Sequence, residues 1–284
     1  MPVTTVATIA ALRARLDAER AAGRTVGFVP TMGYLHAGHG SLMAAARAET
    51  DVVVTSVFVN PLQFAPAEDL AAYPRDLAGD TALAEAEGVD LLFVPSVAEM
   101  YPDGPVLTTV RVTEVSAPLE GRTRPTHFVG VATVVAKLFA IVGPCRAYFG
   151  EKDFQQIAVI RRMVRNLSIP IDVVACATLR EPDGLALSSR NAYLTPEERA
   201  VAPVVHATLQ AGRMAIDAGE RDPAKVRALM ADLIAAEPMA ELDYAEIVDA
   251  ATLQVIDPLH GELRLLAAVW FGKARLIDNI ASHA

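Results

Sequence analysis

The chain has 284 residues, of which 52% are hydrophobic and 21% are charged, and its formal net charge is −9. This balance is typical of a globular protein and excludes a disordered chain, and the length allows two packed domains. The acidic charge also disfavours nucleic acid as a partner, because a phosphate backbone is repelled by a negative surface.

The cysteines and the apolar runs indicate the cellular compartment. Cys145 and Cys176 have neither the spacing of a metal site nor that of a disulfide framework. The longest apolar run, residues 129–143, contains Lys137 and is too short to cross a bilayer. Charged residues are scattered through residues 1–20, so no signal-peptide core is evident. We therefore expect a cytoplasmic protein that does not bind membranes.

Strand-like runs alternate with helical patterns through the first two thirds of the chain. The runs rich in β-branched residues are residues 25–30, 51–59, 89–95, 146–150 and 171–179. The helical patterns lie at residues 5–22, 39–49, 68–87, 128–142 and 153–167. Such alternation predicts an α/β fold with a doubly wound, mainly parallel sheet that binds ligands beyond the carboxyl ends of its strands.

The pattern changes near residue 180. Thr195 and Glu198 have the spacing of a capping box around Pro196, which predicts a helix start. An alanine-rich helical region continues to about residue 236. Strand-like runs at residues 242–249, 263–272 and 274–280 then predict a small antiparallel sheet. We expect a first domain at residues 1–179 and a smaller α+β domain at residues 180–284.

The segment PTMGYLHAGHGSLM, residues 30–43, places two histidines where the chain leaves a predicted strand and enters a predicted helix. His36 and His39 are three residues apart, and a helix N-terminus attracts phosphate, so both imidazoles could donate to phosphoryl oxygens. The HExxH zinc pattern, the dinucleotide pattern and the P-loop pattern are all absent from this segment. A structural turn with surface histidines is the alternative for these two residues taken alone.

Two other segments place polar residues just after predicted strands. Asn60 and Gln63 follow the second strand, and their amides could pair with hydroxyl and carboxylate groups, although Asn-Pro is also a common turn. Lys152 and Asp153 follow the fourth strand at a helix start. They could meet a phosphate there or form an ordinary solvated pair.

A third segment, residues 180–195, carries two serines and Arg190 after the fifth strand. Hydroxyl and guanidinium groups could bind a polyphosphate, and a polar loop without function is the alternative.

The HxGH spacing of His36 and His39 is similar to the signature of the nucleotidylyltransferase superfamily. Together with the three segments above and residues 124–139, it resembles the pantoate–β-alanine ligase family over nearly the whole chain. LSSR at residues 187–190 stands where related tRNA synthetases carry a KMSKS loop, which argues against a synthetase.

The resemblance implies a Rossmann-like catalytic domain, a lid-like second domain and an ATP-dependent ligase. Such an enzyme joins pantoate to β-alanine through pantoyl adenylate, uses Mg²⁺, releases pyrophosphate and AMP, and forms a homodimer. One alternative is a nucleotidylyltransferase that moves AMP onto a phosphorylated acceptor. Another is a non-catalytic nucleotide-binding regulator.

The resemblance also implies roles for individual residues. His36, His39, Lys152 and Arg190 are expected to be catalytic, with His39 as the proton donor. The residues expected to bind ATP are Met32, Gly33, Tyr34, Leu35, His36, Ala37, Gly38, His39, Gly150, Glu151, Lys152, Asp153, Leu179, Leu187, Ser188, Ser189 and Arg190. Those expected to bind the other substrates are Gln63, Gln156, Asn60 and Pro30. Asp80 is a candidate Mg²⁺ contact, and residues 64–76 are a candidate cover for the site.

Overall fold

The computed structural model describes residues 2–64, 70, 73–104 and 106–284. The chain divides into two compact units, one formed by Met1–Gly150 with Gln156–Cys176 and the other by Glu151–Gln155 with Ala177–Ala284. The second unit thus begins at Ala177, where the sequence suggested residue 180, and it also includes a short segment that the sequence placed in the first domain. Glu151 of that segment forms an ion pair with Arg264, at 3.2 Å.

The described part of the first unit contains a six-stranded parallel sheet, as predicted. Its strands are β1 (Thr4–Val6), β2 (Val26–Thr31), β3 (Val52–Val57), β4 (Leu91–Phe93), β5 (Cys145–Gly150) and β6 (Ile171–Cys176), in the spatial order β1-β4-β3-β2-β5-β6. The central strands are almost entirely buried, which explains why they read as continuous apolar runs. Because the strands are parallel, the segments that follow β2 and β3 leave the sheet at the same edge.

Helices connect these strands. They are α1 (Ile9–Ala21), α2 (Ala37–Glu49), α3 (Leu77–Ala86), α4 (Val97–Met100), α5 (Glu120–Thr123), α6 (His127–Val142) and α7 (Phe154–Asn166). Short 3₁₀ helices lie at Pro61–Gln63 and Glu151–Asp153.

Two predicted helix starts were wrong. Thr4–Val6 pairs with Leu91–Phe93 as an edge strand, so α1 begins only at Ile9, where the Thr8 side chain accepts a hydrogen bond from the amide of Ala11. The helix predicted from residue 68 begins at Leu77, because Asp76 caps it through the amide of Gly79. Residues 65–69 and 71–72 lie outside the described residues.

The second unit contains α8 (Pro196–Val201), α9 (Val204–Asp217) and α10 (Pro223–Ala235), followed by β7 (Glu241–Asp249), β8 (Glu262–Phe271) and β9 (Ala274–His283). The three strands form an antiparallel sheet in the order β7-β8-β9, as predicted. The capping box of Thr195 and Glu198 is also present. Fully buried side chains such as Leu209, Met230 and Leu265 form the core of this unit.

Within the described residues, none of the helices combines the length and the apolar character needed to cross a bilayer.

One glycine of α6 controls how the segment after β3 packs. A Cβ atom at Gly130 would lie 2.3 Å from the carbonyl oxygen of Leu62, in the 3₁₀ helix Pro61–Gln63. The Asn60 side chain donates to the carbonyl oxygen of Gly130 at 3.2 Å. The absence of a side chain at Gly130 therefore allows this segment to lie directly on α6.

We predict that Gly130→Ala lowers the free energy of unfolding by about 2 kcal/mol or more, because the added methyl group meets backbone that cannot move aside cheaply. Chemical denaturation monitored by circular dichroism measures the change. Gly40→Ala in α2 is the control, since a Cβ atom there meets only the end of the flexible Glu87 side chain, at 3.0 Å. Equal stability of Gly130→Ala and the wild type would show that this packing is not close.

Candidate active site

The turn after β2 is held by a buried carboxylate. Gly33 and Tyr34 both have positive φ angles, 83° and 54°. Asp80 of α3, only 3% exposed, accepts hydrogen bonds from the amides of Tyr34 at 3.0 Å and Leu35 at 2.6 Å. A Cβ atom at residue 33 would lie 2.8 Å from the same carboxylate, so only glycine fits this position. Asp80 thus fixes the backbone that leads to the two histidines.

His36 and His39 orient each other at the start of α2. His36 is the N-cap residue, and its Nδ1 accepts from the amide of Gly38 at 3.1 Å. The Nδ1 of His39 accepts from the amide of His36 at 3.3 Å, and the two ring centroids are 4.2 Å apart. Because a nitrogen that accepts a hydrogen bond carries no proton, the neutral form of each ring has its proton on Nε2. Both imidazoles can therefore act as Nε2 donors, as phosphate binding requires.

The amides after β3 are brought together with Met32. Gln63 donates to the sulfur of Met32 at 2.8 Å and accepts from Asn60 at 3.2 Å. Asn60 is 1% exposed and its oxygen also accepts from the amide of Leu62 and from the hydroxyl of Tyr101, at 3.3 and 2.9 Å. The pKa of Tyr101 is raised to about 12 by burial, which keeps this hydroxyl protonated.

These contacts change the role of one predicted residue. Asn60 was expected to bind substrate, but its amide is buried and bonded to protein groups on both its nitrogen and its oxygen. It therefore positions Gln63, whose side chain is half-buried. Pro30, near the end of β2, is also half-buried.

A cavity of about 330 Å³ adjoins the turn held by Asp80. Met32, Val57, Phe58 and Val59 supply much of its apolar wall, and Arg75 adds a positive charge. Of the residues that we expected to form apolar walls around pantoate, Met32 and Val59 line it.

Asp80 does not fit the predicted Mg²⁺ contact. Each of its carboxylate oxygens accepts a backbone N–H, and the side chain is almost fully buried. Among the residues that the structure describes, no group of three or more His, Cys, Asp or Glu side chains could hold a metal ion. Mg²⁺ commonly reaches nucleotide sites on the substrate phosphates, with few protein ligands.

The second unit brings several of the remaining predicted residues together. Residues 179–187 form a hairpin-like turn in which the amide of Leu187 donates to the carbonyl oxygen of Leu179, at 2.9 Å. Ser188 then caps the 3₁₀ helix Ser189–Tyr193 by accepting from the amide of Arg190 at 3.2 Å. Leu179 and Arg190 are exposed.

Lys152 and Ser188 line one small cavity in this unit, with Asn191, His206 and Asp278 among its other walls. Its volume of about 10 Å³ is room for about one water molecule. The ammonium-bearing residue and the serine loop, predicted from distant parts of the sequence, are therefore neighbours within this unit.

The other predicted residues occupy element ends. Gly150 ends β5, and no atom lies within 4 Å of a Cβ built there, so a ligand could approach its backbone closely. Glu151 and Asp153 belong to the 3₁₀ helix of Lys152, and Asp153 is exposed. Gln156 is half-buried in α7.

A buried ion pair that the sequence analysis missed holds the serine loop in the second unit. Arg180 forms two hydrogen bonds with Asp278 of β9, at 2.6 and 2.9 Å. Burial would raise the pKa of Asp278, but the nearby His206 ring and the Arg180 guanidinium outweigh it and keep this pKa below its ordinary value. His206, expected from the sequence to be a surface or packing residue, has its Nδ1 3.5 Å from this carboxylate.

We predict that replacing Asp80 with alanine destabilises the protein by about 2 kcal/mol or more, because two amides of the turn lose their acceptor. Unfolding is measured with and without Mg²⁺. The positioning role requires the same loss in both conditions, whereas a loss confined to Mg²⁺-containing buffer would restore the metal hypothesis. Asp76→Ala, which removes only a helix cap, is the control and costs about 1 kcal/mol.

We predict that Asp278→Asn lowers the free energy of unfolding by about 3 kcal/mol at pH 7, because it leaves Arg180 without its buried partner. A carboxyl whose folded-state pKa is lowered stabilises the fold above its unfolded pKa, near 4, and loses this contribution as the pH falls through the folded value. The difference between wild type and variant should therefore shrink below about pH 4.

Urea denaturation across this pH range measures that difference. Glu262→Gln is the control, because Glu262 is 78% exposed in its contact with His283 and should matter little. A difference for Asp278→Asn that stays constant down to about pH 2 would show that the charge of Asp278 is not what stabilises the loop.

Comparison with known proteins agrees with the fold and the motifs. A family model described as pantoate-beta-alanine ligase matches residues 4–281. Pantothenate synthetase from Moorella thermoacetica is 54% identical over 273 residues, which is 96% of each chain. Pantothenate synthetase from Roseiflexus sp. is 52% identical over 282 residues and 99% of each chain.

Solved structures give the same result. The crystal structure of pantothenate synthetase from Thermus thermophilus matches with a TM-score of 0.92 and 52% identity, covering 98% of this chain and 99% of that one. Pantoate-beta-alanine ligase from Francisella tularensis, solved in complex with beta-gamma ATP and beta-alanine, matches with a TM-score of 0.79 and 34% identity over 98% and 97% of the two chains. The chain therefore belongs to the pantoate–β-alanine ligase family.

Proposed function

We propose that this chain joins pantoate to β-alanine with ATP as co-substrate, forming pantothenate, AMP and pyrophosphate through pantoyl adenylate. Membership of the ligase family supports this reaction, as does the Francisella tularensis relative solved with beta-gamma ATP and beta-alanine. The observation in the chain itself that carries the proposal is the pair of imidazoles at the start of α2, each with Nδ1 bonded to backbone and its proton on Nε2.

In the first step, a carboxylate oxygen of pantoate attacks the α-phosphorus of ATP and pyrophosphate leaves. Negative charge develops on the phosphoryl oxygens and on the leaving group, so catalysis requires donors and cations in fixed positions. His36 and His39 supply Nε2 donors, and the N-terminus of α2 adds a partial positive charge. In the proposal, Lys152 and Arg190 balance the remaining charge, and His39 is the proton donor.

In the second step, the amine of β-alanine attacks the carbonyl carbon of the adenylate, an amide bond forms and AMP leaves. The mixed anhydride would hydrolyse if water reached it, which favours a cover over the site. The second domain and residues 64–76 are the proposed cover. Within that segment, residues 65–69 and 71–72 lie outside the described part of the chain.

Gln63 and Gln156 are proposed to bind pantoate, with Gln63 also close to β-alanine. Gln63 suits this role because Asn60 and Met32 fix its side chain beside the end of β3. Tyr34, Leu35, Ala37 and Gly38 are proposed to line the ATP site with the residues named above. Mg²⁺ would enter as part of the substrate, coordinated by the phosphates of ATP.

The alternative of a nucleotidylyltransferase is not favoured by the family comparison. A cytoplasmic location and a homodimer stay predictions, and sedimentation of the purified protein would test the second.

The reaction is tested by incubating the protein with ATP, pantoate and labelled β-alanine. The proposal requires AMP and labelled amide to form in equal amounts, and no AMP to accumulate beyond one per site when β-alanine is omitted. Transfer of AMP to a phosphorylated acceptor without an amine would support the nucleotidylyltransferase. Binding of ATP without turnover would support a regulator.

We predict that His39→Ala and Lys152→Ala each slow adenylate formation by about 100-fold or more, because each removes a group that stabilises charge in the transition state. Single-turnover quench experiments measure the rate. The matched controls are His283→Ala and Lys225→Ala, whose side chains are 70% and 68% exposed in the second unit. Rates within twofold of wild type for His39→Ala or Lys152→Ala would refute the role given to that residue.

A further inference from the structure

One buried amide of β9 binds the backbone of the segment that carries Lys152. Asn279 is 3% exposed, and its Nδ2 donates to the carbonyl oxygen of Glu151 at 2.9 Å and to that of Lys152 at 2.8 Å. Its Oδ1 accepts from Nε of Arg264 at 2.6 Å. Both hydrogens of the amide are therefore used on two successive carbonyl groups, which fixes the peptide between them.

Arg264 of β8 holds the same segment from two further directions. It is 6% exposed, and its guanidinium donates to the Glu151 carboxylate at 3.2 Å. The guanidinium carbon also lies 4.1 Å from the ring centroid of Phe154, which is cation–π geometry. The segment from Glu151 to Phe154 is thus bound at its backbone, at its first side chain and at its last.

A lysine on a loose segment would be poorly placed for catalysis. The ammonium group of lysine stands on four flexible carbons, so its position depends on where the backbone directs the first bond of the side chain. Small misplacements of a group that stabilises a transition state can cost about 100-fold in rate. The contacts of Asn279 are made to the carbonyl of Lys152 itself, which is where such control is needed.

We propose that Asn279, oriented by Arg264, is a positioning residue for adenylate formation, acting by fixing the backbone of Lys152. The inference rests on the proposed function, since it assigns Asn279 a role through a lysine proposed to be catalytic. A purely structural role for Asn279 is the alternative, and it would affect stability without acting through Lys152.

The test measures pantoate-dependent exchange of labelled pyrophosphate into ATP, at a temperature where near-UV circular dichroism shows every variant to be folded. Asn279→Ala should lower the exchange rate about 10- to 100-fold and leave the KM for pantoate unchanged. Asn279→Asp keeps the shape and the acceptor for Arg264 but loses both donors. It should be as slow as the alanine variant, because the donors are what the proposal requires.

The control is Ser282→Ala on the same strand. Ser282 is 7% exposed, and its hydroxyl has no hydrogen-bond partner among the described residues, so its loss should leave the exchange rate unchanged.

A double variant separates positioning from structure. If Asn279 acts through Lys152, Asn279→Ala should slow the Lys152→Ala enzyme less than twofold, because the group being positioned is already gone. Multiplication of the two defects would overturn the inference, and so would a wild-type rate in Asn279→Asp. The wild-type enzyme is measured first, and its failure to exchange pyrophosphate would refute the proposed function instead.

Discussion

The position of the proton on His36 and His39 is the constraint on which the proposed chemistry depends. Each Nδ1 is bonded to an amide at the start of α2, so the donor on each ring is Nε2. This assignment holds only if the helix begins at Ala37, which in turn requires the turn at Gly33 and Tyr34. Asp80 stabilises that turn, so a carboxylate on α3 determines which imidazole nitrogen can donate.

Buried polar side chains hold functional backbone in both units. Asp80 binds two amides of one turn, Asn60 binds the backbone beside Gln63, and Asn279 binds two carbonyls at Lys152. A buried polar group must form hydrogen bonds, and in a low-dielectric interior those bonds are strong and directional. Residues that contact substrate can therefore keep exposed side chains while their backbone is fixed from below.

The sequence predicted the parallel sheet and the identity of the segments after its strands, because buried strands read as apolar runs and caps have local patterns. It failed for Thr4–Val6, whose pairing with Leu91–Phe93 is not local, and for the short segment from Glu151, whose partners lie on β8 and β9. The role of Asp80 was missed for the same reason. A lone aspartate gives no sign of which distant amides it will meet.

One signal in the sequence did point to the missed residues. Asp278 and Asn279 are successive polar residues in the apolar strand β9, and successive side chains of a strand point to opposite faces. Both are buried, so each face needs its own partner: Asp278 binds Arg180 at the start of the serine loop, and Asn279 binds the segment of Lys152. Because one rigid strand holds both segments, a displacement of β9 moves them together. The spacing between Lys152 and the serine loop is thereby preserved within this unit.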